Sequence, residues 1–193
     1  MNIGIIFAGG AGIRMNIKDK PKQFLLVHGK PIIVHTIEVF NYHKEIDGIV
    51  VVCLADWIDY MEELKYRYRL DKISRIIPGG NTGQLSIYNG LIAAKEVYGE
   101  DNIVLIHDGV RPIISEELVT ANIAAVKKYG SSITCSKANE TFVVLDSSDE
   151  VNTILERKMS WCAKAPQAFY LRDILQKHEQ ASSATSAGVR KVP

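Results

Sequence analysis

The sequence predicts an α/β protein built on a mostly parallel sheet with helices on both faces. Three observations predict it. Short runs rich in Ile and Val recur without polar alternation, as strands buried on both faces require. Longer segments with apolar residues at helical spacing lie between them. Glycine-rich or turn-forming stretches follow several of the runs, where one element hands over to the next. A chain of 193 residues suits one domain with a core of its own.

The first element is an apolar run over residues 3–7, read as a buried strand. Ala8, Gly9, Gly10, Ala11 and Gly12 follow with no bulky side chains, so backbone N–H groups there can approach a phosphate closely. Arg14, Lys18, Lys20 and Lys22 add positive charge to the same loop. It is not a Walker A loop, because Gly12 is followed by Ile13 and Arg14 rather than by the Lys-Ser/Thr pair that loop needs. It is not the dinucleotide fingerprint either. Counted from Gly10, the third glycine's place holds Met15, and the loop runs to Pro21 before any helical pattern begins. The glycines alone fit a surface turn with solvated lysines. The spacing of Arg14 and Lys22 favours a triphosphate cradle.

Residues 24–27 form a short extended piece before a turn at His28, Gly29 and Lys30. Pro31 suits a helix start, and Ile32, Ile33, Thr36, Ile37 and Phe40 keep helical spacing. A β-branched run predicts a second strand over 48–53, a charged and aromatic segment a helix over 57–69, and a third strand follows over 73–77. Residues 78–83 make a second glycine-rich turn opening a helix over 84–97, with Leu85, Tyr88, Leu91 and Ile92 inward. A strand over 103–106 runs into His107, Asp108, Gly109, Val110, Arg111 and Pro112. Ser115 is the expected N-cap of a helix over 116–129, and 132–136 is strand-like. Residues 141–145 and 151–155 flank a polar turn, which predicts a hairpin protruding from the main sheet. Residues 164–169 follow, and 171–181 predict a last helix. The small, polar, unpatterned residues 182–193 are expected to lack structure. Ligands of such sheets sit at the carboxyl ends of strands. The loops after Phe7, Ile77 and Ile106 therefore converge on one edge by topology alone.

The composition excludes several classes. At 47% hydrophobic and 23% charged it is that of an ordinary globular protein, and a net charge of +1 makes no electrostatic case for nucleic acid. No apolar run is long enough to suggest a membrane span, and the N-terminus enters a strand without a signal-peptide pattern. Cys53, Cys135 and Cys162 are far apart with no metal-ligand spacing, as expected of reduced thiols in a cytoplasmic protein.

Ala8-Gly9-Gly10-x-Gly12-x-Arg14-Met15, with Pro21-Lys22-Gln23-Phe24 after it, resembles the signature of CTP-dependent cytidylyltransferases acting on methylerythritol 4-phosphate or ribitol 5-phosphate. The resemblance implies a Rossmann-like, nucleotide-diphospho-sugar transferase-like fold. Residues 1–181 would form one nucleotidyltransferase domain, with a hairpin arm over about 137–160. It implies transfer of CMP from CTP to a polyol phosphate, with release of pyrophosphate. Arg14 and Lys22 would be catalytic. Ala8, Gly9, Gly10, Gly12, Gly79, Gly80, Asn81, Ser86, Asp108, Gly109 and Arg111 would bind the nucleotide, with Asp108 also holding Mg²⁺. Thr141 and Arg157 would hold the acceptor's phosphate, and the arms would cross within a homodimer.

Each role has a plainer alternative. Ser86 would be only a helix cap, Asp108 only a turn residue paired with Arg111, Arg157 only a solvated arginine, and His107 a neutral hydrogen-bonding residue. Gly83 stands where the family carries a long polar residue, which implies a looser base pocket. The resemblance runs from Ile3 to about His178, and the family's final strand and helix, with a further phosphate-binding lysine, have no counterpart before Pro193. Ala8-Gly9-Gly10 and the run from Asp108 to Pro112 look more like the ribitol branch, with methylerythritol 4-phosphate close behind. Two other classes stay open. One is a truncated, non-catalytic nucleotide-binding module. The other is a nicotinamide-dependent oxidoreductase using Asp56, against which the first loop argues.

Overall fold

A computed structural model of the chain describes residues 1–9 and 20–186. Strand β1 (Asn2–Ala8) leads, after the glycine-rich loop, to a 3-10 turn at Lys22–Phe24 and a minimal hairpin, β2 (Leu26–Val27) and β3 (Lys30–Pro31). Then come α1 (Ile32–Tyr42), β4 (Gly48–Cys53), a 3-10 turn at Ala55–Trp57 continuing into α2 (Ile58–Arg67), and β5 (Ile73–Pro78). The second half is α3 (Gly83–Tyr98), β6 (Ile103–Asp108), α4 (Glu116–Tyr129), β7 (Ser131–Lys137), β8 (Val143–Leu145), β9 (Val151–Ile154), β10 (Trp161–Tyr170) and α5 (Leu171–Ser186).

Six of the strands form one sheet in the order β5-β4-β1-β6-β10-β7. β5, β4, β1 and β6 run parallel, while β10 pairs antiparallel with both β6 and β7. From β1 the chain adds β4 and β5 on one side and then crosses to β6 on the other. The carboxyl ends of β1 and β6 therefore diverge at a topological switch point, where sheets of this kind open a crevice. Period-two alternation divides the core into two layers. Ile6, Val51 and Leu105 face Ile33, Phe40, Met61 and Ile123, from α1, α2 and α4. Ile5, Val52 and Val104 face Leu91 and Ala94 of α3 and Leu171 of α5.

Phe24 anchors the 3-10 turn. It is fully buried, stacked on Trp57 with centroids 4.9 Å apart and edge-on to Tyr60 at 5.2 Å. Phe24→Ala is expected to cost about 3–5 kcal/mol of stability, measured as a lowered urea midpoint with unchanged slope.

The structure corrects several sequence expectations. Residues 22–24 form a 3-10 turn closed by Phe24 N–H to Pro21 O at 2.9 Å, so the extended piece shrinks to Leu26–Val27. Helix α3 does not turn Leu85 inward; that side chain is 45% exposed. Its buried face is Leu91, inward as expected, together with Ser86, Gly90, Ala93 and Ala94, small residues that let the helix lie close on β1 and β4. A reading that looks for large apolar residues misplaces such a face. Residues 164–169 belong to a ten-residue strand, bulged between Ala163 and Gln167 around Pro166. Residues 182–186, expected to lack structure, continue α5. Ala181 and Ala184 favour a helix, and no glycine or proline intervenes before Gly188. The hairpin forms as expected, with shorter strands: among the described residues β8 and β9 pair only with each other, in a two-stranded sheet separate from the main one.

Candidate functional site

A cleft of about 430 Å³ opens at the carboxyl edge of the sheet, over the switch point. Four segments meet there. β1 delivers Phe7, Ala8 and Gly9, the 3-10 turn delivers Lys22 and Gln23, and the turn before α3 delivers Gly80, Asn81, Thr82 and Gly83 with Ser86. β6 ends in Asp108, which with Val110 just beyond it closes the remaining side. The loops after Ile77 and Ile106 converge there as expected, and so do the described ends of the loop after Phe7, at Gly9 and Lys22. Gly10, Gly12, Arg14 and Lys18 lie outside the described residues.

The second glycine turn is shaped by backbone proximity. Gly79 N–H donates to Cys53 O at 2.8 Å, extending the β4–β5 pairing by one step. A Cβ on Gly79 would stand 2.9 Å from Ser86 Oγ, and one on Gly80 would stand 2.5 Å from Leu85 Cβ. Neither position tolerates a side chain in this conformation. The helix cap is Thr82, whose hydroxyl accepts from Leu85 N–H at 3.1 Å. Ser86 is a brace rather than a cap: its Oγ accepts from Gly80 N–H at 3.0 Å and donates to Thr82 O at 2.9 Å. Its one proton is thus used within the loop, and a ligand meets it as an acceptor. A Cβ at Gly83 would touch nothing within 4 Å, so that side of the cleft is open.

Asp108 is partly buried at the mouth. Oδ1 accepts from Val110 N–H at 3.2 Å, and Oδ2 lies 3.3 Å from Arg111 Nε. Arg111 is exposed and held to Asp108, outside the cleft lining. Behind them the loop is fastened by buried groups. Gly109 N–H donates to Phe7 O at 2.9 Å and Thr36 Oγ1 donates to Gly109 O at 3.0 Å. His107 Nε2 lies 3.0 Å from Arg111 O. Burial holds the His107 pKa below its ordinary value. The ring is therefore neutral and donates from Nε2, the hydrogen-bonding duty expected of it.

Lys20 does not face the cleft. Its ammonium donates to Tyr60 OH at 3.0 Å and lies 4.5 Å from the ring centroid, fixing the end of the loop instead of meeting a ligand. Thr141 and Arg157 find each other on the arm, Nη2 donating to Oγ1 at 2.8 Å, and neither lines the cleft. Cys53 is no nucleophile, because burial and then the charge of Glu62 push its thiol up to about 11. Sequence reasoning missed three residues here. Thr82 carried a legible signal, a threonine just before a helical run. Gln23 stood inside the Pro21-to-Phe24 motif without a role of its own, and Val110, acting through its N–H, carried no signal.

The chain matches over residues 3–190 a family described as 2-C-methyl-D-erythritol 4-phosphate cytidylyltransferase. The ribitol-5-phosphate cytidylyltransferase of Streptococcus agalactiae serotype III (strain NEM316) is 54% identical over 183 residues, covering 95% of this chain and 77% of that protein. The Vibrio parahaemolyticus protein of the same name is 51% identical over 181 residues, 94% of this chain and 76% of that one. Among solved structures, the 4-diphosphocytidyl-2C-methyl-D-erythritol synthase of Anaerococcus prevotii superposes with a TM-score of 0.81 at 30% identity, covering 100% of this chain and 78% of that chain.

Proposed function

The chain belongs to the 2-C-methyl-D-erythritol 4-phosphate cytidylyltransferase family, and from that premise we propose that it transfers CMP from CTP to ribitol 5-phosphate, giving a CDP-alcohol and pyrophosphate. The observation that carries the reaction class is the meeting of Gly9, Lys22, the Gly80–Gly83 backbone and Asp108 around one cleft. The ribitol acceptor rests on relatives of that name at 51% and 54% identity.

A phosphate oxygen of the acceptor attacks the α-phosphorus of CTP, and pyrophosphate leaves. Both reactants are anions, so positioning and charge stabilisation supply the catalysis and no protein nucleophile is needed. Lys22, with Arg14, offsets the charge gathering on the triphosphate. The open turn at Gly80 and Asn81, at the start of α3, takes the nucleoside through backbone groups.

Asp108 is the residue that would hold Mg²⁺. Each of its oxygens has one protein partner, which leaves lone pairs for a cation, and magnesium needs only one or two carboxylates beside phosphate oxygens and water. Bound there, the ion would neutralise phosphate charge. Among the described residues no cluster of three or more acidic, His or Cys side chains offers another site. Activity is expected to require Mg²⁺, and Asp108→Asn to raise the metal concentration that half-saturates the rate. An unchanged rate in excess chelator would refute the metal's role.

Pyrophosphate release from CTP with each acceptor tests the assignment. Release with ribitol 5-phosphate supports it. Release with methylerythritol 4-phosphate alone selects the reading favoured by the superposition on the Anaerococcus prevotii synthase. Release with neither leaves a nucleotide-binding module.

We further infer a cytoplasmic homodimer. The cysteines are all free, and no helix among the described residues is long and apolar enough to cross a membrane. The arm exposes Phe142, Val143, Val144 and Leu145 together with Val151 and Ile154, more apolar surface than an isolated hairpin can sustain. A second copy would cover it.

A further inference from the structure

Gln23 is 1% exposed at the centre of the 3-10 turn, directly after Lys22. Its Nε2 donates to Ala8 O at 2.7 Å, across fifteen positions of sequence. Its Oε1 is buried and has no hydrogen-bond partner among the described residues. The amide cannot be turned round, because that would set two oxygens 2.7 Å apart.

Ala8 is the last residue of β1, and the glycine-rich loop starts beyond it. The Gln23 side chain therefore ties together the two ends of that loop, one at the strand and one at the turn that carries Lys22. Stability alone is a poor explanation. A buried amide with one end unpartnered costs stability, and Met or Leu would fill similar space without that cost. The turn already has an apolar anchor in Phe24, packed on Trp57 and Tyr60. What Phe24 does not supply is a directional link to β1.

We infer that Gln23 is a positioning residue for nucleotidyl transfer: its hydrogen bond to Ala8 holds Lys22 at a set distance from the start of the triphosphate loop. The inference rests on the proposed role of Lys22. Displacing a charge donor by a fraction of an ångström loses much of its effect on a transition state, since alignment is what it contributes.

A double-mutant cycle on the full chain separates positioning from general support. Gln23→Met is expected to lower kcat roughly 10- to 100-fold with little change in KM for CTP. In the Lys22→Ala background the same change should cost less than about 2-fold, because the group it positions is gone. Should Gln23→Met not fold, the cycle is run with Gln23→Glu. That carboxylate cannot donate to Ala8 O but its protonated form can, so turnover relative to wild type should recover as pH falls. A full multiplicative loss in the Lys22→Ala background, or a pH-independent ratio for Gln23→Glu, overturns the inference while leaving Lys22 in its role. An unaltered kcat in Lys22→Ala alone overturns the reading of Lys22 instead.

Discussion

Lys22→Ala is expected to leave the fold intact and lower turnover about 10²–10³-fold, the loss typical of one transition-state charge donor. The side chain is partly buried in the cleft lining. Its contribution to the fold is a backbone one, Lys22 O accepting from Leu25 N–H at 3.2 Å, which alanine preserves. Phe24 and Gln23 keep the turn in place without it. The measurement is kcat by pyrophosphate release beside a thermal unfolding curve. A folded variant with near-wild-type turnover would mark Lys22 as a solvated surface lysine and remove the charge argument from the mechanism.

The parallel half of the fold was legible because its physics is local. Gly48–Cys53 is buried at every position and reads as a continuous apolar run, while Ser115 caps α4 at the expected residue and accepts from Leu118 N–H at 3.3 Å. Convergence of the three loops followed from topology. β10 was not legible: Lys164, Pro166 and Gln167 break its pattern, and it is a strand because β6 and β7 pair with it. The face of α3 was read correctly at Leu91 but not at Leu85, because small residues make the rest of the contact. In the site, residue types pointed to Lys22, Ser86 and Asp108, but their bonds were hidden. Nothing in the sequence tells that the Ser86 proton is used by Thr82 O, or that Lys20 turns to Tyr60. Thr141 and Arg157 do not line the cleft of their own chain.

Arg157→Ala is expected to be nearly inactive by itself, and to recover when mixed with Lys22→Ala. Arg157 sits in a 3-10 turn at the base of the arm, bonded to Thr141, and neither residue lines the cleft of its own chain. If the arms cross in a homodimer, each Arg157 serves the neighbour's cleft, where a guanidinium suits an acceptor phosphate because it can bind in bidentate fashion. In a mixed dimer one site takes its Lys22 from the Arg157→Ala subunit and its arm from the Lys22→Ala subunit, and so has both residues. The other site has neither. Random pairing makes half the dimers mixed, each with one competent site of two, so roughly a quarter of wild-type activity should return. The test is to refold the two variants together, verify subunit exchange with distinguishable tags, and assay pyrophosphate release against each variant refolded alone. Recovery would place Arg157 in the partner's site. Absence of recovery despite exchange would mean that Arg157 acts within its own chain or not at all, and that the arm's exposed apolar face is covered in some other way.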